Sequence, residues 1–182
     1  MKIHKSLLAA LALAACLLVV TASAASAAVW KHHEMNVTKA IEIPMTGGEV
    51  FETGSGGMTC ETRATIATSG GSIGTIKKWE VKKCSGGFGN LAGCEVLTTE
   101  AKSLPWSLHV NTTDLSVTGV RIRRTFKAGC AVKEIDKTVT LTLTLIPPST
   151  ITEIEFAGSS VGYKMFGSFT LDPPAAGTYG IG

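Results

Sequence analysis

Residues 138–146 read TVTLTLTLI, and the strict alternation of this run limits what the chain can fold into. Side chains two apart on a strand share a face. Val139, Leu141, Leu143 and Leu145 therefore fall on one side, and Thr138, Thr140, Thr142 and Thr144 on the other. Pro147-Pro148 ends the strand, because proline has no N–H to give to a ladder. The same period recurs downstream. Ile154 and Phe156 oppose Glu153 and Glu155, Tyr163 and Met165 oppose Gly162 and Lys164, and Phe169 and Leu171 complete an inward set. From Gly47 onward, glycine-rich turns separate runs rich in Thr, Val and Ile, and no window carries an apolar stripe at helical spacing. The expected strands are 49–53, 58–68, 74–83, 94–101, 106–111, 115–126, 131–146, 152–157 and 162–171. About nine short antiparallel strands predict an all-β domain built as a β-sandwich, with an up-and-down barrel as the alternative.

The chain begins with Lys2 and Lys5, an apolar run over 7–20, and TASAASAA. This pattern predicts a secretory signal peptide over 1–28, cut after Ala28 or Ala27, with an apolar run too short to span a bilayer comfortably. Residues 29–48 are expected as an irregular lead-in, 49–172 as the sandwich domain, and 173–182 as a coiled tail docked by Tyr179. An alternative concerns Leu13-Ala14-Ala15-Cys16, which has the form of a bacterial lipobox and would anchor the chain through Cys16. The apolar run continues past that cysteine over 17–20, where lipoproteins usually turn polar.

Removing Lys2 and Lys5 from the 17 basic residues leaves 15 against 14 acidic ones, a net charge of +1. That balance gives no general attraction to nucleic acid or to an anionic surface. Four cysteines remain, Cys60, Cys84, Cys94 and Cys130, and an even number in an exported chain reads as two disulfides. Their gaps are too wide for paired zinc knuckles, and no histidine sits at ligand spacing from them. Ser69-Gly70-Gly71-Ser72 is the evident hairpin turn, about which opposed residue numbers sum to about 142. Cys60 then lies opposite residue 82, so a shifted turn or one bulge brings it to Cys84. This favours Cys60–Cys84 with Cys94–Cys130. The rival pairing is Cys84–Cys94 with Cys60–Cys130.

The stretch SLPW begins a strand at proline, where its missing N–H does no harm. Trp106, Leu108 and Val110 share one face and point to the core. An exposed Trp106 would instead suggest sugar or lipid binding. His109 with Asp114 or Asp136 is the only arrangement that a Ser/His/Asp hydrolase could draw on, and no nucleophile elbow accompanies it. His32-His33-Glu34 could hold a metal only loosely, so no metal or cofactor is expected. Arg121, Arg123, Arg124 and Lys127 form a basic cluster. Arg121 and Arg123 share a face and could grip an acidic polymer, or they protect a strand edge from unwanted pairing. Lys77, Lys78, Lys82 and Lys83 read as edge protection too. The threonine face of 138–144 is the outer side of a sheet, and the segment could self-associate if its edge were exposed. The sequons at Asn36 and Asn111 are discounted because the leader is of bacterial type.

MTCETRATI, the spaced Cys84, LAGCEV, SLPW, NTTDLSVTGV, Cys130 and the terminal GTYGIG together resemble an uncharacterised family of secreted bacterial proteins found in many paralogous copies. That resemblance implies export and a β-rich fold, and no reaction. The cysteines followed by Leu-Pro-Trp are also similar to the alkane-oxidation activators, a family of extracellular proteins linked to biofilm matrix, although Ser103 stands where those proteins commonly carry asparagine. Together these features lead to a secreted, non-enzymatic cell-surface or extracellular-matrix protein. It would act by binding, with cell-wall or matrix polysaccharide as the candidate partner, or by self-association. The second hypothesis is a carrier of a small hydrophobic ligand with Trp106 and Phe126 near its pocket. The third is a hydrolase using His109.

Overall fold

The computed structural model describes residues 28–111, 114–173 and 178–182. The expected leader, Cys16, and Thr112-Thr113 of the second sequon lie outside the described residues. Twelve strands and no helix are present among those described: β1 (Trp30–His32), β2 (Met35–Asn36), β3 (Ile41–Thr53), β4 (Gly56–Thr68), β5 (Ile73–Gly89), β6 (Val96–Lys102), β7 (Trp106–Val110), β8 (Asp114–Phe126), β9 (Glu134–Ile146), β10 (Glu153–Ser160), β11 (Tyr163–Leu171) and β12 (Tyr179–Ile181). The expected all-β class and the nine main strands are present. The two layers of the expected sandwich meet along β8 and β9, so the sheet closes on itself. The result is an antiparallel eight-stranded barrel, close to a sandwich, in the order β8-β7-β5-β4-β3-β11-β10-β9 and back to β8. On its β7 side, β8 has two neighbours in succession, β7 along Leu115–Val117 and β6 along Arg121–Phe126.

The stretch 29–48, expected to be irregular, carries β1, β2 and the first half of β3. Gly47-Gly48 reads as punctuation, yet β3 runs straight through it. Gly47 pairs with Phe169 and Gly48 with Ser168. A side chain on Gly47 would collide with the backbone of β11, so the glycine marks close approach within a strand and not its end. The tail, expected as coil, supplies β12, which pairs with β1. The small β12-β1-β2 sheet packs over one barrel end through Trp30 N–H to the Gly71 carbonyl at 3.3 Å and Ile181 N–H to the Pro148 carbonyl at 2.8 Å. At the opposite end the loop after β5 turns inward on Leu91, which is fully buried.

The alternation of TVTLTLTLI holds residue by residue, with Val139, Leu141, Leu143 and Leu145 inside and the threonines outside. An eight-stranded barrel has an interior just wide enough for side chains to fill. Trp79 occupies it, edge-on to Phe156 and Phe169 at 5.5 and 5.2 Å and tilted against Trp106 at 5.7 Å. Trp106 is 2 % exposed, and its indole N–H donates to the Lys102 carbonyl at 2.7 Å. It is therefore the core anchor expected of SLPW.

Disulfides join Cys60 to Cys84 and Cys94 to Cys130, which is the favoured pairing. The hairpin turn is centred as read, with Thr68 opposite Gly74 and Ile66 opposite Ile76. Two bulges in β5, at Lys77 and Lys82, each shift the register by one, so Cys84 arrives opposite Cys60. A bulge lets adjacent side chains leave on one side, and both members of each Lys-Lys pair are exposed while Ile76 and Trp79 face the core.

One charged pair lies in the apolar interior. Arg124 on β8 contacts Glu49 on β3, and both are fully buried. Arg124 also donates through Nη1 to the Tyr163 hydroxyl at 2.7 Å, and its guanidinium lies 4.2 Å over the Phe51 ring. Trp79 Nε1 donates to the other Glu49 oxygen at 3.1 Å. Burial penalises the Arg124 cation, but Glu49 and Tyr163 outweigh it and raise its pKa. Burial also raises the Tyr163 pKa, with Arg124 opposing and Glu49 adding to it.

Removing one member of a buried ion pair leaves the other charge unpaired. Arg124→Ala is therefore expected to lower the unfolding free energy by about 3–5 kcal/mol in urea titrations. Replacing both partners, Arg124→Met with Glu49→Leu, should recover most of that loss, and a double variant as unstable as the single would refute the account. Replacing Cys94 and Cys130 together by Ala should cost about 2–4 kcal/mol. Non-reducing peptide mapping should join Cys60 to Cys84, and a Cys84–Cys94 peptide would contradict the pairing.

Candidate binding face

The Arg121–Lys127 cluster does not form an open basic patch. Arg124 points inward. Arg121 makes two hydrogen bonds to Asp136, from Nε at 2.8 Å and Nη2 at 2.7 Å. Arg123 pairs with Glu134 at 2.7 Å, and Lys127 with Glu95 at 2.9 Å. Each partner shifts its cation upward, and Asp136 is lowered chiefly by Arg121. The idea of edge protection by Arg121 and Arg123 is also corrected, because β8 is paired there with β6 on one side and β9 on the other. Edge protection does fit the lysines of β5. Beyond Ile76 that strand has no ladder partner on its β7 side among the described residues, and Lys77, Lys78, Lys82 and Lys83 lie along it.

Phe126, like Trp106, is a buried core side chain. Asp114 stands two residues before Ser116 on β8 and shares its side of the strand. His109 sits exposed on β7 opposite Ser116, whereas Asp136 lies opposite Arg123. Those positions are seven residues apart on β8, about 23 Å at the usual strand rise. Asp136 is moreover held by Arg121. The His32 ring stacks on Tyr179 at 4.8 Å and sits 4.3 Å from His33. Among the described residues, no group of three His, Cys, Asp or Glu is placed to hold a metal.

The surface that gathers unpartnered polar groups lies elsewhere, on the outward side of β9, β10, β11, β3 and β4. Register sets Thr142 beside Ala157, Ala157 beside Phe166, Phe166 beside Val50 and Val50 beside Thr59. These five residues form one row across five strands. On one flank Thr144, Glu155, Ser168 and Gly48 make the next row, and on the other run Thr140, Ser159, Lys164 and Glu52. The floor residues are short except for Phe166, whose ring is 38 % exposed. The surface is hollowed there. A depression of about 620 Å³ over Thr142, Ala157 and Phe166 continues into a second of about 670 Å³ that shares all three residues. Among the described residues, the side chains of Thr142, Thr144, Glu155, Ser168, Glu52 and Lys164 make no hydrogen bond or ion pair within the chain.

No single stretch of sequence displays this row, because each strand contributes one residue to it. The buried pair did leave a trace. Period two through Val120, Ile122, Arg124 and Phe126 puts Arg124 inside, and Met45, Gly47, Glu49 and Phe51 do the same for Glu49.

These features define a disulfide-bridged all-β barrel with a filled, ion-paired interior and one hollowed outer face. The chain belongs to the alkane oxidation protein activator PraA/PraB-like family, whose model matches residues 1–163. No curated protein and no solved structure matches it. Among the described residues no helix is long and apolar enough to cross a membrane.

Lys78 and Lys82 both bond the Glu80 carboxylate and hold its pKa down to about 2. A depressed carboxylate stabilises the fold above the ordinary Glu range and loses that contribution as pH falls toward 2. A carboxyl NMR titration should show Glu80 ionising near pH 2, and Lys78→Met with Lys82→Met should return it toward 4.5. An ordinary Glu80 titration in the parent protein would refute these contacts.

Proposed function

We propose that the chain is a secreted, non-enzymatic cell-surface or extracellular-matrix protein that acts by binding or self-association through the hollowed outer face. The observation that carries this reading is the distribution of polar groups. Inside the barrel Glu49, Arg124, Trp79 and Tyr163 bond one another, and among the described residues only a few buried atoms such as Thr62 Oγ1 and Arg124 Nε are left over. Across the outer face a row of hydroxyls and carboxylates is left to solvent around an exposed phenyl ring. The family name describes an activator of a process and not a reaction, which fits a protein working by contact. Export is supported by the leader pattern and by two disulfides, which persist in oxidising compartments. The resemblance to an uncharacterised exported family points the same way.

Two other readings have less support. A small-ligand carrier needs an apolar cavity at Trp106 and Phe126, and both side chains are packed in the core. The barrel wall also turns Glu61, Arg63, Glu155 and Lys164 outward and its apolar side chains inward, the reverse of a lipid-facing barrel. A hydrolase would need His109, an orienting carboxylate and a nucleophile together. Asp136 is committed to Arg121 and remote. Asp114 stands near His109, but no nucleophile elbow accompanies them in the sequence.

The test is fractionation of a bacterium expressing the chain with a C-terminal tag. The protein should be recovered outside the cytoplasm with a mature N-terminus at Ala28 or Val29. Added back to cells, it should sediment with them or as oligomers. Cytoplasmic retention with free thiols would overturn export. An exported monomer that binds neither cells nor itself would overturn the binding role.

A further inference from the structure

We propose that the hollowed face binds an extended, uncharged polysaccharide lying across the strands along the row from Thr142 to Thr59. This inference rests on reading that face as the binding surface, and it names the ligand class. Three properties of the face select the ligand.

The first is shape. Five neighbouring strands at about 4.8 Å spacing give a trough about 19 Å long, running perpendicular to the strands. Its floor is kept low by Ala157, Val50 and, on the flank, Gly48. The first depression spans all five strands, and the second adjoins it along the strand direction, on the Thr140 flank, with Phe166 between them. A trough of this form takes a chain lying in it and does not enclose a small molecule.

The second property is the order of chemistry along the trough. One aromatic ring stands at the centre, at the third of the five floor positions. Hydroxyls of Thr142 and Thr59 stand at its ends and those of Thr144, Thr140, Ser168 and Ser159 on its flanks. Pyranose rings present an apolar face of C–H groups and an equatorial rim of hydroxyls. Such a ring can stack on Phe166 while its rim exchanges hydrogen bonds with the flanks. A purely apolar ligand would strip water from those hydroxyls without repaying it, at a cost for each unpaired polar group.

The third property is charge. Glu155 lies on one flank and Glu52 on the other, and neither has an ion-pair partner within the chain. Carboxylates accept hydrogen bonds from sugar hydroxyls and repel carboxylate- or phosphate-bearing polymers. Lys164 beside Glu52 offsets part of the negative charge and does not make the trough basic. The arrangement is therefore complementary to a neutral glycan and unfavourable to an acidic one.

The experiment is affinity electrophoresis of the purified full chain in native gels cast with neutral polysaccharides (laminarin, hydroxyethyl cellulose, dextran and galactomannan) or with alginate. At least one neutral polymer should retard the protein and alginate should not. Phe166→Ala should weaken retardation tenfold or more, and Phe166→Tyr should keep it. Ala157→Lys, which fills the floor without touching the core, should abolish it while the melting temperature stays that of the parent. Three results would overturn the proposal: no retardation by any neutral polymer, retardation by alginate alone, or retardation unaffected by both Phe166→Ala and Ala157→Lys. A parallel assay separates this failure from failure of the broader reading. Protein that sediments with cells or self-associates, yet ignores every neutral polymer, has a binding role with a different partner. Protein that does neither has no binding role.

Discussion

One interaction holds opposite walls of the barrel in relation to each other. In the circular order of eight strands, β3 and β8 stand four places apart in both directions, so the Glu49–Arg124 pair spans the barrel along a diameter. Tyr163 on β11 and Trp79 on β5 bring two more strands into the same network. Apolar packing is tolerant of small slides between layers, whereas a hydrogen-bonded ion pair has one geometry. Such a pair suits a registry role between opposite walls, and it is fully buried, with Phe51 and the aromatic cluster around Trp79 packed about it. Its net contribution to stability need not be large for this role, since desolvating two charges offsets much of their attraction.

The hollowed face depends on that registry. Its floor row exists only because β9, β10, β11, β3 and β4 are aligned so that Thr142, Ala157, Phe166, Val50 and Thr59 fall side by side. A slip of one residue in any of these ladders would turn that strand's floor residue into the core. The inward residues of the same strands, Leu141, Leu143, Phe156 and Phe51, therefore fix the layout of the hollowed face as well as the core.

Much of this was readable beforehand, and the misses have physical causes. Strand existence and facing were legible wherever alternation was strict, as in β9 and β11. The hairpin arithmetic found the correct turn centre and the correct disulfide, but it allowed for one bulge where there are two. The signal for both was present in the Lys77-Lys78 and Lys82-Lys83 doublets, which interrupt the inward series of Ile76, Trp79, Val81 and Cys84. Gly47-Gly48 reads as a boundary because a glycine that permits close strand approach looks the same in one dimension as a glycine in a turn. Arg124 sits among charged neighbours in the sequence although its parity matches Ile122 and Phe126. A barrel is one of the two architectures the strands allow, but nothing local says that β8 and β9 close it. Ring closure is a property of non-local pairing, and the two ladders of β8 are both compatible with an open sheet. The hollowed face is illegible in the sequence for the same reason, being a row of single residues from five strands.

The pairing of β1 with β12 has a consequence of its own. Val29 N–H bonds the Gly182 carbonyl at 3.1 Å, and Gly182 N–H returns to the Val29 carbonyl at 3.3 Å. The two described ends of the chain are thus tied to each other at one spot over the barrel mouth, and the domain is close to a closed ring in topology. Any segment joined at either end departs from the same small area. The broad sides of the barrel wall lie clear of that area.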